Sequence, residues 1–138
     1  MLYDPQNKTV QRCAQGMTLE GEGRGEVFRQ AWDEATTDLE KFIAAHYVAR
    51  HQPSALDKLQ WDKTALGHAQ HVPDAQVKGA YPSLYLNIAK DYEDLQEFTQ
   101  ACAHYETALS YTPFLNDDGY GKMIRAGITA GLERTKNR

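Results

Sequence analysis

Residues 82–115 read PSLYLNIAKDYEDLQEFTQACAHYETALSYTPFL. Apolar residues recur at three- and four-residue steps: Leu84, Ile88, Tyr92 and Leu95, then Phe98, Ala101, Tyr105, Ala108 and Leu109. That period matches an α-helix and not the alternation of a strand. Pro82 and Ser83 suit a first helical turn, where no N–H is needed for the ladder. Pro113 stops the second helix. The stretch therefore predicts two amphipathic helices folded back on each other.

The same pattern continues on both sides of this stretch. Val10 to about Glu20 reads as one helix, and Glu26 to about Thr36 as the next, with Val27, Phe28, Ala31, Trp32 and Ala35 on one face. Thr37 with Glu40 three residues on forms a capping box that opens a helix to about His51, carrying Phe42, Ile43, His46 and Tyr47. Pro53-Ser54 opens another, with Leu56, Leu59 and Trp61 inside it, ending near Gly67 or Gln70. Val72 to Tyr81 contains Pro73 and Gly79 and reads as a connector. Asp117-Asp118 can cap a last helix, Tyr120 to about Arg134. No Asn-Gly hairpin turn and no long alternating run signals a strand. The expectation is an all-α chain of seven helices in one domain, residues 1–138.

The pattern at 82–115 resembles one tetratricopeptide repeat. Tyr85, Ile88, Ala89, Tyr92, Ala101, Tyr105, Ala108 and Pro113 stand at that family's spacings. The small residues Ala89, Ala101 and Ala108 let two helices approach closely while the large ones fill the space around the contact. One such pair cannot bury its apolar face alone, so neighbours are expected. Setting Ala35 against Ala108 puts Gly16 against Ala89 and Trp32 against Tyr105, but Phe28 where a small residue belongs. In the middle pair Trp61 and Ala65 are four apart rather than three. The resemblance implies an array of about three helical hairpins plus a capping helix at 118–134.

Bulk numbers agree with a soluble fold: 138 residues, 41% hydrophobic, 25% charged. A net charge of -4 points away from nucleic acid. No apolar run approaches a membrane span, and MLYDPQNKTVQRC lacks a signal-peptide apolar core, which makes a cytoplasmic setting the expectation. Cys13 and Cys102 form no CxxC pair and read as small buried residues with free thiols.

Enzyme signals are few. Thr18 to Gly25 resembles the glycine-rich loop of S-adenosylmethionine-dependent methyltransferases through Gly21, Gly23 and Gly25. That loop needs a strand before it, whereas Arg12 to Leu19 reads as helix, so the segment is expected to be an inter-helix turn. His46 and His51 are five apart and diverge on a helix. His68 and His71 could share a face near Asp74, but no HExxH or Cys/His set accompanies them, and they read as helix-end residues. His46 reads as a hydrogen-bonded histidine near a groove. Asp33, Glu34, Asp38, Glu40, Asp57 and Asp62 read as a solvated face. No nucleophile sits in a catalytic motif, so no catalytic residue, metal or cofactor is expected.

The expected function is that of a non-enzymatic adaptor holding a protein or peptide. In tetratricopeptide proteins the first helix of each repeat lines a groove. The resemblance places Asn87, Lys90, Lys122 and Arg125 there, with His46 nearby, as a polar, basic patch for an acidic segment or a C-terminal carboxylate. The alternatives are self-association as a homodimer through Tyr111, Phe114, Leu115 and Tyr120, and, ranked last, a methyltransferase.

Overall fold

The structure, a computed structural model, describes residues 3–19 and 22–138. All regular structure among the described residues is helical. Contacts divide the chain into two compact units, Met1–Gln76 and Val77–Arg138.

The first unit holds α1 (Lys8–Met17), α2 (Glu22–Glu34), α3 (Asp38–Arg50) and α4 (Ala55–Ala69). A single turn, α5 (Asp74–Val77), straddles the boundary inside what reads as a connector. α1 pairs with α2 and α3 with α4, while α3 also touches both α1 and α2. Caps set the helix starts. Asn7 accepts from the backbone N–H groups of Thr9 and Val10, so α1 opens two residues before the expected Val10. Thr37 and Glu40 form the full capping box, and Ser54 caps α4. Phe28, Ala31, Phe42, Ile43, Val48 and Ala65 are buried. Each large one contributes about 1.5–3 kcal/mol by leaving water.

Two expectations fail here. Gly23 and Gly25 lie inside α2 rather than in a turn, and Gly21 lies outside the described residues. A helical glycine costs only about 1 kcal/mol, which tertiary packing offsets. The end of α1 is tied instead by Arg24, which donates to the carbonyls of Leu19 and Met17. Glu40 and Asp62 are not solvated; they are 6% and 0% exposed. Glu40 serves the capping box and accepts from Asn7, and Asp62 is paired with Arg50. Leu56 lies inside α4, as expected, on its exposed side.

The second unit holds a 3-10 turn (Lys78–Ala80), α6 (Tyr81–Asp94), α7 (Phe98–Ser110), a second 3-10 turn (Thr112–Phe114) and α8 (Gly119–Thr135). α6 packs on α7, and α8 packs on both. The α6–α7 reversal is a left-handed helix stop. Gln96 has φ 61, the Gln96 N–H donates to Glu93 and the Glu97 N–H donates to Tyr92. Pro82 lies in the first turn of α6 and Asp118 caps α8. Ala89, Ala101 and Ala108 are fully buried, with Ile88, Tyr92 and Tyr105 buried around them. Tyr85 is half-buried and Pro113 exposed. Leu109, placed on the apolar face by its spacing, points outward.

Tyr105 is the strut of this unit. Its ring lies where a Cβ at Gly131 would have to be, so α8 approaches α7 only because that residue is glycine. Its hydroxyl donates to Glu93 Oε1 at 2.7 Å, and Arg134 holds the same carboxylate through two hydrogen bonds. Three helices are thereby joined at one polar point.

Candidate functional site

Helix α2 turns Phe28, Ala31 and Ala35 inward, which leaves Trp32 at the edge of that face, half-buried. On α4 the residues Trp61, Thr64 and His68 follow at steps of three and four and form one stripe. The two tryptophans meet edge to face, with ring centroids 5.2 Å apart. His68 approaches Trp32 at 5.8 Å, and its Nδ1 lies 2.9 Å from Asp38 Oδ1.

Cations cover the outer ring faces. The Arg29 guanidinium carbon is 5.0 Å from the centre of Trp61, and Lys41 Nζ is 4.9 Å from the centre of Trp32. Each such contact contributes about 0.5–1 kcal/mol at an exposed site. Trp32, Gln60, Trp61 and Thr64 line a cleft of about 280 Å³. Thr64 also borders a depression of about 490 Å³ lined by Asp38, Gly67, His68 and His71. No group of three or more His, Cys, Asp or Glu able to hold a metal occurs among the described residues.

On the α3–α4 interface lies a second polar group. Asp62 is fully buried and paired with Arg50. His46 belongs to this group, but its Nδ1 is buried without a hydrogen-bond partner among the described residues, contrary to the hydrogen-bonded histidine expected there. Burial is the main cause that lowers its pKa to about 4; Arg50 adds to the effect and Asp62 opposes it. The ring is held neutral at pH 7. It abuts Tyr47 at 5.3 Å.

The expected basic patch is dispersed in its commitments. Lys90 is paired with Asp94 on its own helix. Arg125 donates to the carbonyls of Thr112, Leu115 and Asn116, closing the loop before α8. Asn87 is half-buried and Lys122 exposed, and neither is gathered with the other two by a hydrogen bond or ion pair among the described residues. Among the other marked residues, Cys13 is buried, with its thiol pushed up to about 12 by desolvation, and Cys102 is half-buried. His68 is half-buried and His71 exposed.

The tryptophan cleft is what the sequence reading missed. Trp32 reads as part of the apolar face of its helix and Trp61 only as a residue inside its own. The available signal was that these are the only two tryptophans of the chain, each on a helix rich in charge. Their meeting, and the cross-helix pairs Arg29–Trp61 and Lys41–Trp32, depend on packing that no spacing along one helix shows.

Comparison of the chain with protein-family models, curated proteins and solved structures returns no match.

Proposed function

We propose that the chain is a non-enzymatic, tetratricopeptide-like helical-repeat protein that holds a protein or peptide partner. One observation carries the reading. In each unit a helix packs on its successor and also on the helix after that, as α1 does with α3 and α6 with α8. Such neighbour-on-neighbour packing supports an array, and arrays present helix faces to partners. The buried alanines of α6 and α7 support it further. Free Cys13 and Cys102 support a reducing, cytoplasmic setting. No helix is long and apolar enough to cross a membrane.

The test is selection of a random displayed peptide library on the immobilised full chain. Enrichment of a peptide class that then binds saturably in calorimetry is the expected result. Failure to enrich any class ends the reading. Saturable micromolar binding of S-adenosylmethionine in the same calorimeter would move the protein to the enzymes instead.

A second reading, self-association, is favoured by the exposure of Leu109, Phe114, Tyr120 and Met123 on the second unit. Tyr111 is instead stacked on Tyr85 at 5.7 Å, and Leu115 is buried, so those two belong to the fold. Light scattering at rising concentration separates monomer from dimer.

A further inference from the structure

Taking the partner-holding reading as its basis, we propose that the Trp32–Trp61 cleft is where the partner docks, and that it takes an acidic peptide segment bearing a bulky apolar side chain.

Two large rings are kept half-open to water at one spot, edge to face at 5.2 Å. They wall a cleft of about 280 Å³, enough for one side chain rather than a whole ligand. Tryptophan is enriched among the residues that anchor protein interfaces.

The charges set the partner's sign. Arg29 and Lys41 each lie over a tryptophan face, and no carboxylate among the described side chains pairs with either. Other arginines are engaged: Arg12 with Glu34, Arg50 with Asp62 and Arg134 with Glu93. A guanidinium stacked on a ring uses its flat face there, and its N–H edge stays open to a carboxylate in a two-bond fork. The carboxylate of Asp38, on the rim, is already taken by His68.

The floor suits a peptide backbone. Thr64 Oγ1 donates to the Gln60 carbonyl, so its lone pairs remain to accept a peptide N–H, and the Gln60 side-chain amide can donate and accept. The depression beyond Thr64 extends the surface along α4, giving an elongated occupant room to continue. Rings with cations would also stack single-stranded nucleic acid. The acidic balance of the chain weighs for a peptide with few phosphates or none.

The experiment uses the full chain and a short synthetic peptide alternating glutamate with leucine, both ends blocked. Both tryptophans lie in the cleft, so their emission reports binding there directly. A saturable emission change is expected, confirmed by calorimetry and weakened by salt. Arg29→Glu combined with Lys41→Glu should weaken it about tenfold or more with the helical circular dichroism unchanged. Arg29→Gln should give a smaller loss in the same direction and replaces the double variant if that fails to fold. The peptide with lysine for glutamate, or glycine for leucine, should not bind. Equal affinity of wild type and charge variants, absence of binding, or displacement by oligouridine each overturn the proposal. If displayed peptides enrich on the chain but the acidic peptide does not displace them, this site assignment falls while the adaptor reading stands. If none enrich, both fall.

Discussion

Helices α2 and α7 occupy corresponding places in their units and spend their central aromatic residue differently. At an offset of 73 residues Trp32 stands for Tyr105, Phe28 for Ala101, Ala35 for Ala108 and Gly16 for Ala89. In the second unit Tyr105 is fully buried, roofed by Gly131 and tied by Glu93 and Arg134. In the first unit Trp32 stays half-open, and its neighbours are a second tryptophan, a histidine and a lysine. Tyrosine plus a glycine opposite makes a strut; a larger ring with no glycine to receive it is left at the rim. The same helical position is thus structural in one unit and a recognition surface, as proposed, in the other.

The hardest blow to this comparison is at Gly131. A side chain there collides with the buried Tyr105 ring. Gly131→Leu is expected to cost about 3 kcal/mol or more, at the upper end of overpacking effects. Tyr105→Ala should cost about 3–5 kcal/mol through the cavity it leaves. Trp32→Ala, at a half-open site, should cost clearly less. Denaturant unfolding of the three variants reads the order, and a Trp32→Ala loss equal to that of Tyr105→Ala would erase the distinction.

Acid should separate the units next. The folded-state pKa of His46 lies near 4, well below its ordinary value, chiefly through burial. Its neutral form therefore stabilises the fold above about pH 6.5, and that stabilisation is lost as pH falls from there towards 4. A shift of this size corresponds to about 3 kcal/mol. His51, lowered by burial and then by Arg24 and Arg50, acts in the same direction. In the second unit Glu93 is lowered, first by its hydrogen bond from Arg134, so that contribution is full above the ordinary glutamate pKa and is lost only as pH falls below it. The first unit is expected to weaken at milder acidity. Tryptophan emission follows it selectively, since both tryptophans lie there. The expected result is a denaturant midpoint that drops between pH 6.5 and 4.5 in the wild type and drops less in His46→Gln, where the contribution of His51 remains. A wild-type midpoint that is flat over this range would refute the neutral-core assignment.

Most of the helices were legible because each carries local signals: the Thr37–Glu40 box, Ser54, Asp118, Pro82, and apolar spacing along α6 and α7. What was illegible required partners from other helices. Asp62 reads as one more surface acid until Arg50 is brought beside it. Arg125 reads as a ligand-holding cation until the three carbonyls of the preceding loop converge on it. Gly23 and Gly25 read as breakers because propensity is local, while the packing that overrides it is not. The tryptophan cleft combines α2, α3 and α4, and periodicity within any one of them does not bring its rings together.

The smallest expected effect is the most discriminating. Phe28 stands where the α6–α7 pair has Ala101, and it fits because Gly16 stands where that pair has Ala89. A Cβ at Gly16 would lie 2.6 Å from Phe28 Cε1. The larger ring is therefore received by removing the facing Cβ: phenylalanine lies against glycine in one unit, where the other has two alanines. Gly16→Ala alone should cost about 1 kcal/mol, since the overpacking of about 1–3 kcal/mol exceeds the roughly 1 kcal/mol gained in helix propensity. In a Phe28→Leu background the collision is relieved and the propensity gain remains, so the same substitution should become neutral or stabilising. A double-mutant cycle by denaturant unfolding measures the coupling, expected at about 1 kcal/mol. Additive effects would mean that Gly16 does not make room for Phe28, and the correspondence at a 73-residue offset would lose its physical content.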